Sequence, residues 1–405
     1  MNIEKQIQEW LDSGTISQEQ AQIMLSDVSQ KGKEERSNKF IIAISTIGAA
    51  LLGIGAILFV ASNWDEIPDL MKVLILVGST FGAYYLGYLF KYDKQNLPKV
   101  GAALFFLGAL LFGASIFLVA QIYNINANSH SLVLIWLIGV LPLIYVFNSE
   151  SIAALVALLF YLWIGLFIFR NEDFGEYVFF SLPVIYLSSG ALLFSLGGLH
   201  FFKPEMQKVA RIFRLAGMKV SMLSLFLLTF EFFSTQYMKK HSYYSDYYAN
   251  EMQGMIDQIT MGVVLFSVLA IIGLVINLFF NPSQTKNNLL ENGVPLGLIG
   301  FTLLFFFFPS ELAIYTVIYN LIFASLTLLL IFIGYQKSDI NLVNMGIFWL
   351  AIFVLARYFD FFWDLMDRSL FFIVGGLILV LGGIALERKR KQLKENFIQI
   401  NQSTI

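Results

Sequence analysis

Apolar residues run along the chain in blocks of about twenty, separated by short polar interruptions. A bilayer core of about 30 Å is crossed by about 20 apolar residues in a helix, whereas a barrel strand needs about ten with alternating polarity. The blocks therefore predict helices, and twelve of them: 40–62, 70–90, 100–122, 132–147, 152–169, 177–198, 215–233, 259–280, 293–308, 312–334, 342–356 and 370–386. The fourth, ninth and eleventh are short, so each either re-enters the membrane or extends into neighbouring polar residues. The fold class is all-α, a polytopic transmembrane helix bundle spanning residues 40–387.

A different periodicity precedes the bundle. Within residues 1–30, Ile3, Ile7, Trp10 and Leu11 form one helical stripe, and Ala21, Met24, Leu25 and Val28 form a second. Ser13 and Gly14 stop the first helix, and Ser17 with Gln20 fits a capping box for the second. Two such short helices cannot bury a core alone. This cytoplasmic hairpin is expected to dock, either as a cap on the bundle or membrane surface, or on a protein partner or second copy. Residues 31–39 link it to the first span, and residues 388–405 form a basic tail.

Composition removes several chemistries. The chain is 58% hydrophobic and 13% charged, against about 25% charged for a soluble domain, so lipid must solvate much of it. There is no Cys, which excludes disulfides, thiolate metal sites and cysteine nucleophiles. With three His, no metal centre is expected, and no cofactor motif, phosphate loop or nucleophile elbow is present. Membrane lipids are the expected surroundings, and nothing points to nucleic acid. The polar N-terminus predicts no cleavable signal peptide.

Charge placement gives the orientation. If the N-terminus is cytoplasmic, eighteen Lys and Arg fall on that side, including Lys31, Lys91, Lys203, Arg214 and the cluster Arg388 to Lys391. Five fall opposite: Arg170, Lys239, Lys240, Arg357 and Arg368. Positive charge concentrates on the cytoplasmic side of membrane proteins, so both termini are predicted to be cytoplasmic.

Three motifs occur in order: WLDSGTISQEQA (residues 10–21), ASNWDEIP (61–68) and RYFDFFWDL (357–365), the last followed by Gly375, Gly376 and a basic run. In this arrangement the chain resembles the prokaryotic membrane proteins grouped as domain of unknown function 2157. The resemblance covers the hairpin, about the first four spans and the last. It implies a bacterial cytoplasmic membrane protein and transfers no catalytic residue, because the family carries no established activity.

Three polar clusters fall on the predicted outer face. Asn63, Trp64, Asp65 and Glu66 lie between the first two spans. They read either as a capped interfacial turn with Trp64 in the headgroup zone, or as a carboxylate pair that grips a ligand. Arg357, Asp360, Asp364 and Arg368 lie at i, i+3, i+7 and i+11, one helical face, which reads as an ion ladder or as the lid of a site. Arg357, near a span end, is also placed to snorkel. Gln121 and Tyr123, with Asn124 and His130, belong to an uncharged loop able to bond a sugar. Glu231 and Lys219 interrupt the seventh span, and four Tyr crowd the six residues 243–248 of the loop 234–257.

These clusters predict one outward-facing vestibule, with Asp65 and Glu66 opposite Arg357, Asp360 and Asp364, and Gln121 and Tyr123 on its wall. Three functional classes remain: a transporter- or flippase-like bundle, a membrane enzyme acting outside on a lipid-linked or sugar substrate, and a non-enzymatic sensor or assembly factor. The first is the expectation.

Overall fold

The computed structural model describes residues 67–362 apart from 126–127, 171–174, 235–252, 281–288 and 309–312. It also describes residues 7, 10–11, 16–22, 24–26, 41, 44–55, 58, 373–377 and 380–384. Every regular element among these residues is helical. In chain order they are α1 (Ile44–Gly55), α2 (Asp69–Tyr88), α3 (Pro98–Ile122), α4 (Ser129–Phe147), α5 (Glu150–Ile168) and α6 (Gly175–His200). There follow α7 (Gln207–Leu228), α8 (Gln253–Phe280), α9 (Val294–Phe307), α10 (Ile314–Gln336), α11 (Ile340–Phe362) and α12 (Ile373–Ile384).

Nine helices among the described residues are long and apolar enough to cross a membrane: α2–α6 and α8–α11, with some bounds extended or trimmed. The three short predictions all lengthen. α4 starts at Ser129, α11 at Ile340, and a π-helical turn at Leu289–Gly293 extends α9 to 19 residues. The helix α7 is not among the nine, because Lys208, Arg211 and Arg214 fall in its first half and Lys219 just past its middle.

Local chemistry explains the connections. Asn148 ends α4 in the left-handed region (φ 44°), and Ser149 starts α5 by accepting from the Ile152 amide. A single Asn–Ser step thus closes one helix and opens the next, Asn tolerating positive φ and Ser being a favoured cap. Between α10 and α11, Ser338 (φ 52°) closes the first helix. The amides of Ser338 and Asp339 bond back to Tyr335 and Gly334, and Asp339 caps the second helix by accepting from the Asn341 amide at 2.9 Å. In front of the bundle, Ser17 and Gln20 exchange amide bonds at 2.9 and 3.2 Å, the reciprocal box expected from their spacing. Ile7 and Ala21 are buried.

The chain divides into two units. One holds Met1–Glu34, Leu225–Ser234 and Leu312–Ile405; the other holds Glu35–Ser224 and Thr235–Glu311. In the first, α10 and α11 pair as sequential neighbours. In the second, α2 pairs with α3, α4 with α5, and α6 with α8. Its core gathers Phe105, Val140, Ile144, Ile152, Val156, Leu159 and Phe213. Trp136 packs against it: its indole N–H donates to the Ala109 carbonyl at 2.9 Å, and its ring fills the space that a side chain at Gly113 would need. Gly53, Gly101 and Gly108 pack closely against neighbouring helices, while Gly48, Gly376 and Gly383 have no neighbour within 4 Å of a Cβ. The tightest backbone approach, Gly190 on α6 against Gly217 on α7, follows the same rule that small residues admit close helices.

Candidate functional site

The most unusual local structure lies at the end of α7. The helix stops at Leu228, Thr229 and Phe230 turn, and one helical turn resumes over Glu231–Ser234. The stretch LLTFEFFS contains neither Pro nor Gly, so the stop needs another cause. A helix end leaves carbonyls without partners. Here the Thr229 carbonyl accepts from Asn320 Nδ2 on α10 at 2.8 Å and from Arg357 Nη1 on α11 at 3.2 Å. The Thr229 hydroxyl donates to the Phe226 carbonyl at 2.7 Å, the kind of local bond that competes with a helix. One turn before Asn320, Thr316 bonds the Ser234 hydroxyl, which ties the resumed turn to the same face of α10.

Arg357 is the centre of this cluster. Its side chain is 15% exposed, so it is turned into the protein and does not snorkel. Nη1 lies 2.8 Å from the Asp360 carboxylate one turn on, and the guanidinium stacks 4.3 Å from the centre of the Phe230 ring. Nε and Nη2 are buried and have no hydrogen-bond partner in the protein. The Phe230 stack contributes about 2 kcal/mol. Each orphaned buried donor costs about 1–3 kcal/mol, more on a charged group. The stack by itself does not offset both donors. The neighbouring Tyr358 is structural: it is buried, and its ring occupies the space beside Gly375, where a Cβ would come within 2.8 Å.

Asp360 is 48% exposed, so removing Arg357 leaves no buried carboxylate behind. Arg357→Met is expected to keep or raise thermal stability, because it removes a desolvated cation. Asp360→Asn is expected to lower stability by about 1–3 kcal/mol, since the buried guanidinium loses its charged acceptor. Thermal unfolding of the two purified variants checks the pair. Marked destabilisation by Arg357→Met would make the arginine a structural element.

A second buried cation sits in the other unit. Arg214 on α7 lies 3.4 Å from Glu291 and 3.3 Å from Asn292 Oδ1, both in the π-helical turn before α9. Its guanidinium lies 4.8 Å from the ring centre of Phe194 and 5.2 Å from that of Phe201. The side chains of the ion pair are 17% and 14% exposed. The sequence places Arg214 among the cytoplasmic cations, which gives no hint of burial, and Glu291 in a loop. The nearest thing to a signal is that Glu291 is the one carboxylate just before the apolar run 294–308.

The remaining sequence candidates divide. Arg357 and Asp360 are brought together. Gln121 and Tyr123 form the end of α3: the amides of Asn124 (φ 47°) and Ile125 bond back to Gln121 and Ala120, a Schellman closure that accounts for the polar residues there. His130 packs edge-on against Phe167. Glu231 and Lys219 are exposed. Asp69, in the first turn of α2, pairs with Lys72 at 3.2 Å. Asn63, Trp64, Asp65, Glu66 and Asp364 lie outside the described residues, as do Arg368 and most of the loop 234–257.

Residues 8–153 match the family model described as a predicted membrane protein, domain of unknown function 2157. The match takes in the N-terminal helices and runs to the start of α5, and the RYFD motif lies beyond it. No curated protein and no solved structure matches the chain.

Proposed function

We propose that this protein is a transporter- or flippase-like bundle of about twelve spans in the bacterial cytoplasmic membrane, with Arg357 at its substrate site. The observation that carries this reading is the buried arginine held against an interruption in a helix of an apolar bundle. Ionisable groups inside membrane bundles mark substrate or ion pathways, and transporter sites are often built at discontinuous helices with free backbone carbonyls. The count of twelve adds α1, α7 and α12 to the nine long apolar helices. The charge bias of eighteen to five supports cytoplasmic termini. On that orientation the connections carrying Asn63, Trp64, Asp65, Glu66, Gln121 and Tyr123 face outward and form the approach to the bundle, open to a lipid-linked or sugar ligand. The N-terminal helices are a cytoplasmic hairpin that caps the bundle or contacts a partner.

Transport requires that the site open to both faces in turn, whereas an outward-facing enzyme or a sensor needs only one. The chain has no Cys, so Ala324→Cys, one turn on from Asn320 along α10, gives a single reporter near the break. In right-side-out and inverted vesicles, a membrane-impermeant thiol reagent is expected to label it from both faces. Labelling from one face alone contradicts the transporter reading.

A further inference from the structure

We infer that the Arg357 cluster binds an oxyanion, a phosphate or carboxylate group, through the Nε and Nη2 edge of the guanidinium. The protein fixes the other side of the same group. Nη1 is held by the Asp360 carboxylate and the Thr229 carbonyl at 2.8 and 3.2 Å. The Phe230 ring lies against the guanidinium at 4.3 Å, with Phe353 further off at 5.8 Å. Orientation is thus fixed, and the donors left over are Nε and Nη2, both buried and both without a protein acceptor. Those two N–H groups are parallel and coplanar, the fork that matches two oxygens of a carboxylate or phosphate. A ring on the guanidinium face leaves in-plane approach to this edge chemically unchanged.

The surroundings select for an anion with oxygen atoms. Asp360 is half exposed and already bonded to Nη1, so it neutralises the resting cation without occupying the fork. Asn320 bonds two carbonyls, those of Thr229 and Thr316, at 2.8 Å each. It therefore holds the helix break in place and brings no negative charge. The edge is closed off in this structure, which fits a site that loads when the segment around the break moves. The ligand's phosphate is either free in solution or part of an anionic lipid headgroup, and the test separates the two against zwitterionic phosphatidylcholine.

This inference rests on reading the cluster as the substrate site, but the two fail separately. Labelling of Ala324→Cys reports access, and the following experiment reports ligand chemistry. The full-length protein is placed in phosphatidylcholine nanodiscs, and thermal unfolding is compared in phosphate and in chloride at equal ionic strength. In a second arm, phosphatidylglycerol replaces part of the phosphatidylcholine with no phosphate present. The wild type is expected to gain thermal stability in one arm at least. Arg357→Lys, which keeps the charge and loses the fork, is expected to lose that gain. A gain in phosphate alone identifies a free oxyanion, and a gain in phosphatidylglycerol alone identifies a lipid headgroup. No gain in either arm, or a full gain retained by Arg357→Lys, overturns the inference. Should Arg357→Lys yield no folded protein, native mass spectrometry of the wild type decides. One bound phosphate or phosphatidylglycerol per chain supports the site, and its absence overturns it.

Discussion

Arg214→Met is expected to destabilise the protein by about 3–5 kcal/mol, the cost of breaking one side of a buried ion pair. Glu291 is 14% exposed, so its carboxylate cannot regain full hydration when the guanidinium goes. No such loss is expected for Arg357→Met, because the partner of Arg357 is half exposed and the partner of Arg214 is not. The double variant Arg214→Met with Glu291→Met should recover much of the loss, because well-packed apolar side chains often replace a buried pair at little cost. The measurement is thermal or denaturant unfolding of the three purified proteins under one condition. If the single and double variants lose the same stability, the pair is not the cause, and packing of the arginine stem between Phe194 and Phe201 takes its place.

The second large effect concerns backbone contact. Gly217→Leu is expected to cost about 3 kcal/mol or more, the upper range for overpacking. A Cβ there would lie 2.4 Å from the Gly190 carbonyl oxygen and 2.5 Å from the Phe194 nitrogen. Both are backbone atoms, so no side chain can swing aside, and α6 and α7 would have to separate. Gly297→Leu is the comparison, since nothing lies within 4 Å of its position, and it should stay within about 0.5 kcal/mol of the wild type. Equal stability of the two variants would show that α6 and α7 do not approach as described.

These contrasts show what the sequence carries. Runs of apolar residues locate the helices, and local signals locate their ends. The Ser17–Gln20 box is recognisable from spacing alone and is present in the structure. So are the consequences of Asn followed by Ser at 148 and 149, had the αL preference of Asn been read together with the capping preference of Ser. The break at Thr229 was not legible, because its cause is tertiary. Asn320 lies 91 residues away and Arg357 lies 128 away, and both reach the same carbonyl. Nothing in LLTFEFFS marks it. The Arg214–Glu291 pair joins residues 77 apart and is hidden for the same reason. Arg357 itself was legible as a cation near a span end, but side-chain length alone suggested that it would reach for water. What turns it inward is Phe230 and the freed carbonyl, neither of which has a sequence signature.

The central claim is that Arg357 is buried at an interruption of α7. A density map of the purified protein in phosphatidylcholine nanodiscs, resolved well enough to show side chains, tests it most directly. The account predicts that α7 stops at Leu228 and resumes at Glu231, with the Arg357 guanidinium stacked on Phe230 and its Nη1 on the Thr229 carbonyl. A continuous helix through Ser234, with Arg357 extended into the headgroup region, would contradict it.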